Sequence, residues 1–236
     1  MPHERFFTDQ PLEKHVSLEE AEFHHLCRVM RARVGDAIEL VNGKNALANA
    51  KITAIGKRHV ELEITQVVHV PPAKRSLILA QGIPKLNRLE MILEKGTELG
   101  VSEFWLFPGM HSEKEAFSAN QQKRMELILI AAMKQCGRLD LPVIIHKPPL
   151  LQWKQCPGTL FFGDTSNEAP WIWKHPIPLK ENSGIVLFIG PESGFDSREV
   201  SHLQGALGAH GVKLHSNILR TDTASITGLS LLQLLE

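Results

Sequence analysis

The residues best placed to do chemistry lie near the C-terminal end of the chain. An apolar run, Ile185-Val186-Leu187-Phe188-Ile189, ends in Gly190-Pro191-Glu192-Ser193-Gly194-Phe195 and opens onto Asp196-Ser197-Arg198-Glu199. Gly190 and Gly194 can take positive φ and let backbone approach a ligand with no Cβ in the way. Pro191 stiffens the turn, and Glu192 puts one carboxylate at its tip. Such a turn is either a ligand loop or an ordinary strand-to-helix connection, and glycines alone leave both readings open. Further on, Leu214 to Ala224 (LHSNILRTDTA) joins a short apolar segment to Thr221-Asp222-Thr223, a helix N-cap cluster, with Arg220 directly before it. Arg138 follows Gly137 at the end of a predicted helix, where a cation complements the helix dipole.

Parallel strands would have to position these groups. A β-branched and aromatic run ending in glycine before a helix reads as a buried parallel strand. The same alternation extends through the second part of the chain. Strands are predicted at 76–82, 103–107, 142–146, 159–163, 184–190 and 212–215, the last within an apolar candidate running to 219. Helices are predicted at 87–99, 120–136, 196–206 and 222–235. Strands and helices in this order give an α/β domain with a parallel sheet covered on both faces. Val70-Pro71-Pro72-Ala73-Lys74-Arg75 interrupts the pattern, so the domains are expected at 1–70 and 76–236, with a linker at 71–75.

Residues 1–70 read as a compact β-barrel, with strands at 37–41, 46–55 and 59–68 joined by turn sequences. Ser17-Leu18-Glu19-Glu20 has capping-box spacing, which predicts a helix presenting Phe23, Leu26, Val29 and Met30 on one face. His24 and His25 sit on that helix but point about 100° apart, so they are not a metal pair. Arg28, Arg31 and Arg33 at its end can cap the last carbonyls. In the stretch 147–182, Trp153, Trp171 and Trp173 are read as covering surface.

Lysine plus arginine equal aspartate plus glutamate at 26 each, so any nucleic-acid site must be a local patch rather than a global field. Three scattered cysteines, Cys27, Cys136 and Cys156, lack C-x-x-C spacing and indicate neither a disulfide framework nor a zinc site. No run approaches the roughly 18 apolar residues of a membrane span. MPHERFFTDQ has no apolar segment of signal-peptide type, so the cytoplasm is the expected location.

Taken together, GPESGF, the helix after it and LHSNILRTDTA resemble the signature of the ribosomal RNA small-subunit methyltransferase E family, within the SPOUT superfamily of knotted S-adenosylmethionine-dependent RNA methyltransferases. The family forms are close to GPEGGF and LGxRILRxETA; this chain departs at Ser193, His215, Asn217 and Asp222. The blocks KLNRLEMILEKGTELG, AAMKQCGR and HLCRVMRARVGD are similar to further family segments. The resemblance implies an N-terminal PUA-like β-barrel, a C-terminal knotted SPOUT domain and a homodimer. It implies methyl transfer from S-adenosylmethionine to N3 of a uridine in 16S ribosomal RNA of the small subunit. Its cofactor contacts would be Phe162, Gly163, Ile189, Gly190, Glu192, Gly194, Leu214, Asn217, Ile218, Leu219 and Thr223. RNA contacts would be Arg5, Arg28, Arg31, Lys85, Lys95, Gln135 and Arg138. Arg138 or Arg220 would stabilise the uracil anion and Glu192 would accept the proton; no metal is implied. The residues alone leave two other readings: a SPOUT-like RNA-binding protein without catalysis, and an unrelated α/β protein that binds a nucleotide at the glycine turn.

Overall fold

In the computed structural model, residues 5–110, 116–174 and 184–234 are described. The chain forms two compact units: Met1–Pro72 with Ile130–Leu141, and Ala73–Leu129 with Pro142–Glu236. Residues 130–141, which sequence order places after the linker, thus group with the N-terminal strands.

The first unit holds β1 (Arg5–Phe7), β2 (His15–Glu19), α1 (Glu20–His24), β3 (Ala37–Val41), β4 (Ala46–Ile55) and β5 (His59–His69). Their order in the sheet is β1-β3-β4-β5-β2, with β1 parallel to β3 and the other pairs antiparallel. Both edge strands feed one core, Phe6 and Val16 packing with Leu26, Leu40, Ile52 and Leu62. The sheet therefore curves, helped by register shifts in β4 at Asn49/Ala50 and Ile52/Ala54. It is a partly open barrel, since β1 and β2 stay at opposite edges.

The predicted capping box is not used. Ser17 lies inside β2 opposite Glu61 of β5, and α1 starts after Glu19, which makes no side-chain cap. Cross-strand pairing takes Ser17 before a helix can. After five residues α1 relaxes into a π-helical turn, His25–Val29, in which only Leu26 is buried; Val29 and Met30 face solvent.

The second unit is a six-stranded parallel sheet: β6 (Leu77–Gly82), β7 (Glu103–Phe107), β8 (Val143–His146), β9 (Thr159–Gly163), β10 (Ile185–Ile189) and β11 (His210–Val212), in the order β11-β9-β10-β6-β7-β8. Its helices are α2 (Leu86–Glu98), α3 (Ala119–Cys136, whose last turns belong to the first unit), α4 (Ser197–Gly205) and α5 (Thr221–Gln233). The predicted end of α5, Leu235, lies outside the described residues. Alternate side chains of each strand point to opposite faces. Ile78, Ala80, Phe162, Val186 and Phe188 pack with Trp105, Trp153 and Leu203. On the other face Gly228 of α5 sits so close to Leu187 that a Cβ would lie 2.6 Å from its Cδ2. Trp153 is core; Trp171 and Trp173 stack with centroids 4.5 Å apart, and Trp173 is half exposed.

The predicted strand 212–215 shifts to 210–212, because the chain there is gripped from two sides. Asp164 N donates to Val212 O at 2.9 Å beyond β9, while Lys213 N donates to Pro170 O and Ile172 N to Lys213 O. One stretch, 163–172, therefore runs along both sides of the segment 210–213. A Cβ on Gly211 would lie 2.7 Å from Asp164 Oδ2 and 2.8 Å from Phe162 Cζ, so a larger residue there would have to push both side chains aside. Such threading is what a general rarity of knots argues against. Among the described residues no helix is long and apolar enough to cross a membrane.

Candidate functional site

Three loops leave the carboxyl ends of the adjacent strands β9, β10 and β11, where open parallel sheets bind their ligands. They enclose a cleft of about 770 Å³ in the second unit.

The loop after β10 is the tightest. Gly194 N donates to Pro191 O at 2.9 Å, and Gly194 has φ +75°, the left-handed region that glycine adopts freely. A Cβ on Gly194 would meet nothing within 4 Å, whereas one on Gly190 would lie 2.9 Å from Gly194 C and 3.1 Å from Phe195 N. Gly190 is thus required for space and only Gly194 for its φ. The carboxylate of Glu192 reaches the N-terminus of α2: its Oε1 accepts from Lys85 N at 3.0 Å and stands 3.5 Å from Arg88 Nε. Beyond the loop, Asp196 and Glu199 form a capping box on α4, and Glu199 also accepts from Met110 N.

The loop after β11 is more open. Leu214 is buried, but residues 215–218 are exposed, and Asn217 N donates to His215 Nδ1 at 3.0 Å. Arg220 occupies the N-cap position of α5; it is exposed and makes no ion pair among the described residues. The N-cap cluster read at 221–223 is therefore shifted: Thr221 is the first helical residue, and its hydroxyl donates to Gly190 O at 2.6 Å rather than capping the helix.

Of the predicted cofactor contacts, Phe162, Gly163, Ile189, Gly190, Glu192, Gly194, Leu214, Asn217, Ile218 and Leu219 line this cleft. Thr223 does not; it is exposed on α5, and buried Thr221 lines the cleft in its place, because both are helical and residues two apart on a helix point to nearly opposite sides. Glu192 and Arg220 line it as well. Arg138 belongs to the first unit and is ion-paired with Asp140. Burial pushes the Asp140 carboxyl up, but the hydrogen bond and charge of Arg138 pull it further down, so its net shift is below the usual carboxylate range.

The predicted RNA contacts divide in the same way. Arg28, Arg31, Lys85 and Gln135 are exposed. Arg5 is turned inward: it donates to Glu39 Oε2 at 2.9 Å and to Gly137 O at 2.6 Å, tying the end of α3 to the sheet. Lys95 is held between Glu94 and Glu98, whose hydrogen bonds push its ammonium above the ordinary lysine range.

Residues that sequence reasoning passed over stand behind the cleft. Arg88 lines it and donates to both oxygens of Asp222, at 2.9 and 3.0 Å. Gln81 is fully buried and bonds to Thr221 and Ser225. Gln81 was visible as the one polar residue of an otherwise apolar strand, LILAQG, and Arg88 as the arginine of the KLNR block. Among the described residues no group of three or more His, Cys, Asp or Glu could hold a metal ion.

A family model described as an RNA methyltransferase domain matches residues 71–233, and one described as an RNA methyltransferase PUA domain matches 18–65. The ribosomal RNA small subunit methyltransferase E of Rickettsia conorii is 28% identical over 100% of this chain and 97% of its own length. The protein of that name from Bacillus subtilis is 29% identical over 91% of this chain and 88% of its own. Among solved structures, a Legionella pneumophila methyltransferase in complex with the bound cofactor SAM superposes with a TM-score of 0.88 at 26% identity, covering 100% of this chain and 98% of that one. The ribosomal RNA small subunit methyltransferase E of Neisseria gonorrhoeae, bound to S-adenosyl methionine, has a TM-score of 0.82 at 25% identity over 99% and 98%.

Proposed function

The chain belongs to the RNA methyltransferase family whose domain covers residues 71–233, and from that premise we propose that it transfers the methyl group of S-adenosylmethionine to N3 of a uridine in 16S ribosomal RNA of the small subunit. The observation that carries the reading is the cleft itself, in which signature residues from three loops converge at the carboxyl ends of parallel strands. Its volume suits a nucleoside-sized ligand, and Gly194 opens directly onto it with no Cβ. Bound there, S-adenosylmethionine supplies an electrophilic methyl group.

The protein's own task is to hold an unpaired uracil, favour loss of the N3 proton and align N3 with the methyl. Arg220 is the leading group to stabilise the uracil anion, being a permanently charged cation that lines the cleft and makes no ion pair among the described residues. Arg138, ion-paired with Asp140, is the other cation proposed for that role. Glu192 is the proposed proton acceptor, its carboxylate stationed by Lys85 N and Arg88. Arg28 and Arg31, exposed on the partly open barrel, contact phosphate, with Lys85 and Gln135 as further RNA contacts. The division into a barrel at 1–70, a linker at 71–75 and a catalytic domain at 76–236 belongs to this reading. So do a cytoplasmic location and a homodimer.

The experiment is single-turnover methylation of undermethylated small subunits, followed by identification of the modified nucleoside. 3-Methyluridine is the expected product; no transfer, or methyl on another atom, overturns the reading. Glu192→Gln separates the two functions of that side chain, because the amide oxygen still accepts from Lys85 N but has lost its basicity. A fragment 74–236 is a poor test of the barrel's role, since it would strip residues 130–141 of the strands they pack with.

A further inference from the structure

Resting on that reading, we infer that Gln81 and Arg88 are positioning residues for adenosylmethionine: they form a two-layer clasp joining loop 190–194 to the start of α5. The two segments come from distant parts of the chain, and loops at the carboxyl end of a parallel sheet have no ladder bonds to one another. The clasp supplies what the sheet does not.

The inner layer is neutral and buried. Gln81 Nε2 lies 2.9 Å from Gly82 O and 2.9 Å from Thr221 Oγ1, with Gly190 O at 3.3 Å and Ile189 O at 3.4 Å. Gln81 Oε1 accepts from Ser225 Oγ at 2.6 Å, and Thr221 Oγ1 donates to Gly190 O at 2.6 Å. Gln81 and Ser225 are fully buried and Thr221 nearly so, a setting in which hydrogen bonds polarise one another and unpaired groups are costly. The carbonyl of Gly190 and the first residue of α5 are thereby held to the same amide.

The outer layer is ionic. Arg88 grips Asp222 through both carboxylate oxygens and stands 3.5 Å from Glu192, which itself holds Lys85 N. One guanidinium thus spans the tip of loop 190–194 and the first turn of α5. Asp222 is a departure from the glutamate of the family signature, yet it keeps the charge at the position Arg88 reaches. Both layers act on the same two walls, the inner at the floor and the outer at the rim, so each fixes where the ligand-facing backbone stands.

Calorimetric titration of the full-length chain with S-adenosylhomocysteine tests this, using Thr221→Val and Thr221→Ser for the inner layer and Asp222→Asn and Asp222→Glu for the outer. Val and Asn should weaken binding at least fivefold, while Ser and Glu hold it within about twofold of wild type. In methylation assays the KM for adenosylmethionine should rise with kcat little changed, the pattern of lost ground-state binding. Raising salt from 0.05 to 1 M should narrow the gap between Asp222→Asn and wild type without closing it, because the Arg88–Asp222 pair is only partly exposed, and leave the gap of Thr221→Val unchanged. If both variants lower the melting temperature but bind at wild-type affinity per folded molecule, the clasp is purely structural and the inference fails. If wild type itself binds no adenosylhomocysteine, the proposed function fails first and takes the inference with it.

Discussion

Loop 190–195 and loop 213–220 both line the cleft, but they are held by different means. The first is braced along its length. Pro191 packs against Gly82, where a Cβ would lie 2.6 Å from its Cδ. Gly190 O is bonded from below, Glu192 is tied to α2, and Phe195 meets Phe162 edge-on at 6.3 Å. The second, among the described residues, is anchored at its ends: Lys213 bonds with Pro170 and Ile172, and Thr221 belongs to the clasp. Between them Ile218 is 84% exposed. One wall is therefore preformed and the other has a free tip. The departures from the family signature fall accordingly: Ser193, His215 and Asn217 lie at exposed positions, and Asp222 keeps its arginine partner.

The sharpest way to break this comparison is Gly190→Val. Backbone atoms at 2.9 and 3.1 Å leave a Cβ no flexible neighbour to displace. Overpacking of this kind costs about 1–3 kcal/mol or more, so a fall of several degrees in melting temperature and loss of detectable adenosylhomocysteine binding are expected. Wild-type binding would show that the first wall is not rigid.

Arg220→Ala addresses the end of the other wall. Turnover in single-turnover methylation should fall about a hundredfold with cofactor affinity unchanged, as for loss of one donor that acts only in the transition state. A melting-temperature loss with normal turnover would reassign Arg220 to structure.

Gly194→Ala isolates backbone conformation from space. The new methyl group meets nothing, so only the strain of φ +75° counts, on the order of 1–2 kcal/mol. Binding should weaken about tenfold with the far-ultraviolet circular dichroism of wild type. A valine there would add β-branched strain and confuse the two effects.

His215→Gly restores the small residue of the family signature and removes one exposed hydrogen bond, that from Asn217 N. Affinity for adenosylhomocysteine should stay within about threefold, since an exposed bond of this kind is worth on the order of 1 kcal/mol or less. A tenfold change would mean that the exposed tip is as constrained as the braced loop.

Much of this was legible before folding. Strands such as Ala46–Ile55 and Ile185–Ile189 announce themselves by alternation or by an unbroken apolar run, and α2 by its stripe of Leu89, Ile92 and Leu93. The glycine turn after β10 was legible from its spacing, which reflects local backbone needs, whereas the other residues of the cleft were named only through the family resemblance. Ser17 misled, since a capping box four residues long looks the same whether or not a partner strand claims it. Arg5 misled for a related reason: an arginine singled out by resemblance to a family gives no sign that Glu39 and Gly137 O already occupy it.

The alternation of strand and helix, the glycine turn after β10 and the family to which the chain belongs follow from residues near one another or from a preserved order, and so could be read from the amino acids directly. Tertiary structure alone decided that Arg88 meets Asp222, that Gln81 meets Thr221 and Ser225, and that the stretch 163–172 lies on both sides of 210–213. Those partners are far apart along the chain, and an isolated polar side chain does not encode which distant group will satisfy it. Only the packing that buries Gln81 beneath the loops makes its hydrogen bonds obligatory, and only the threading sets Gly211 against the side chains of Asp164 and Phe162.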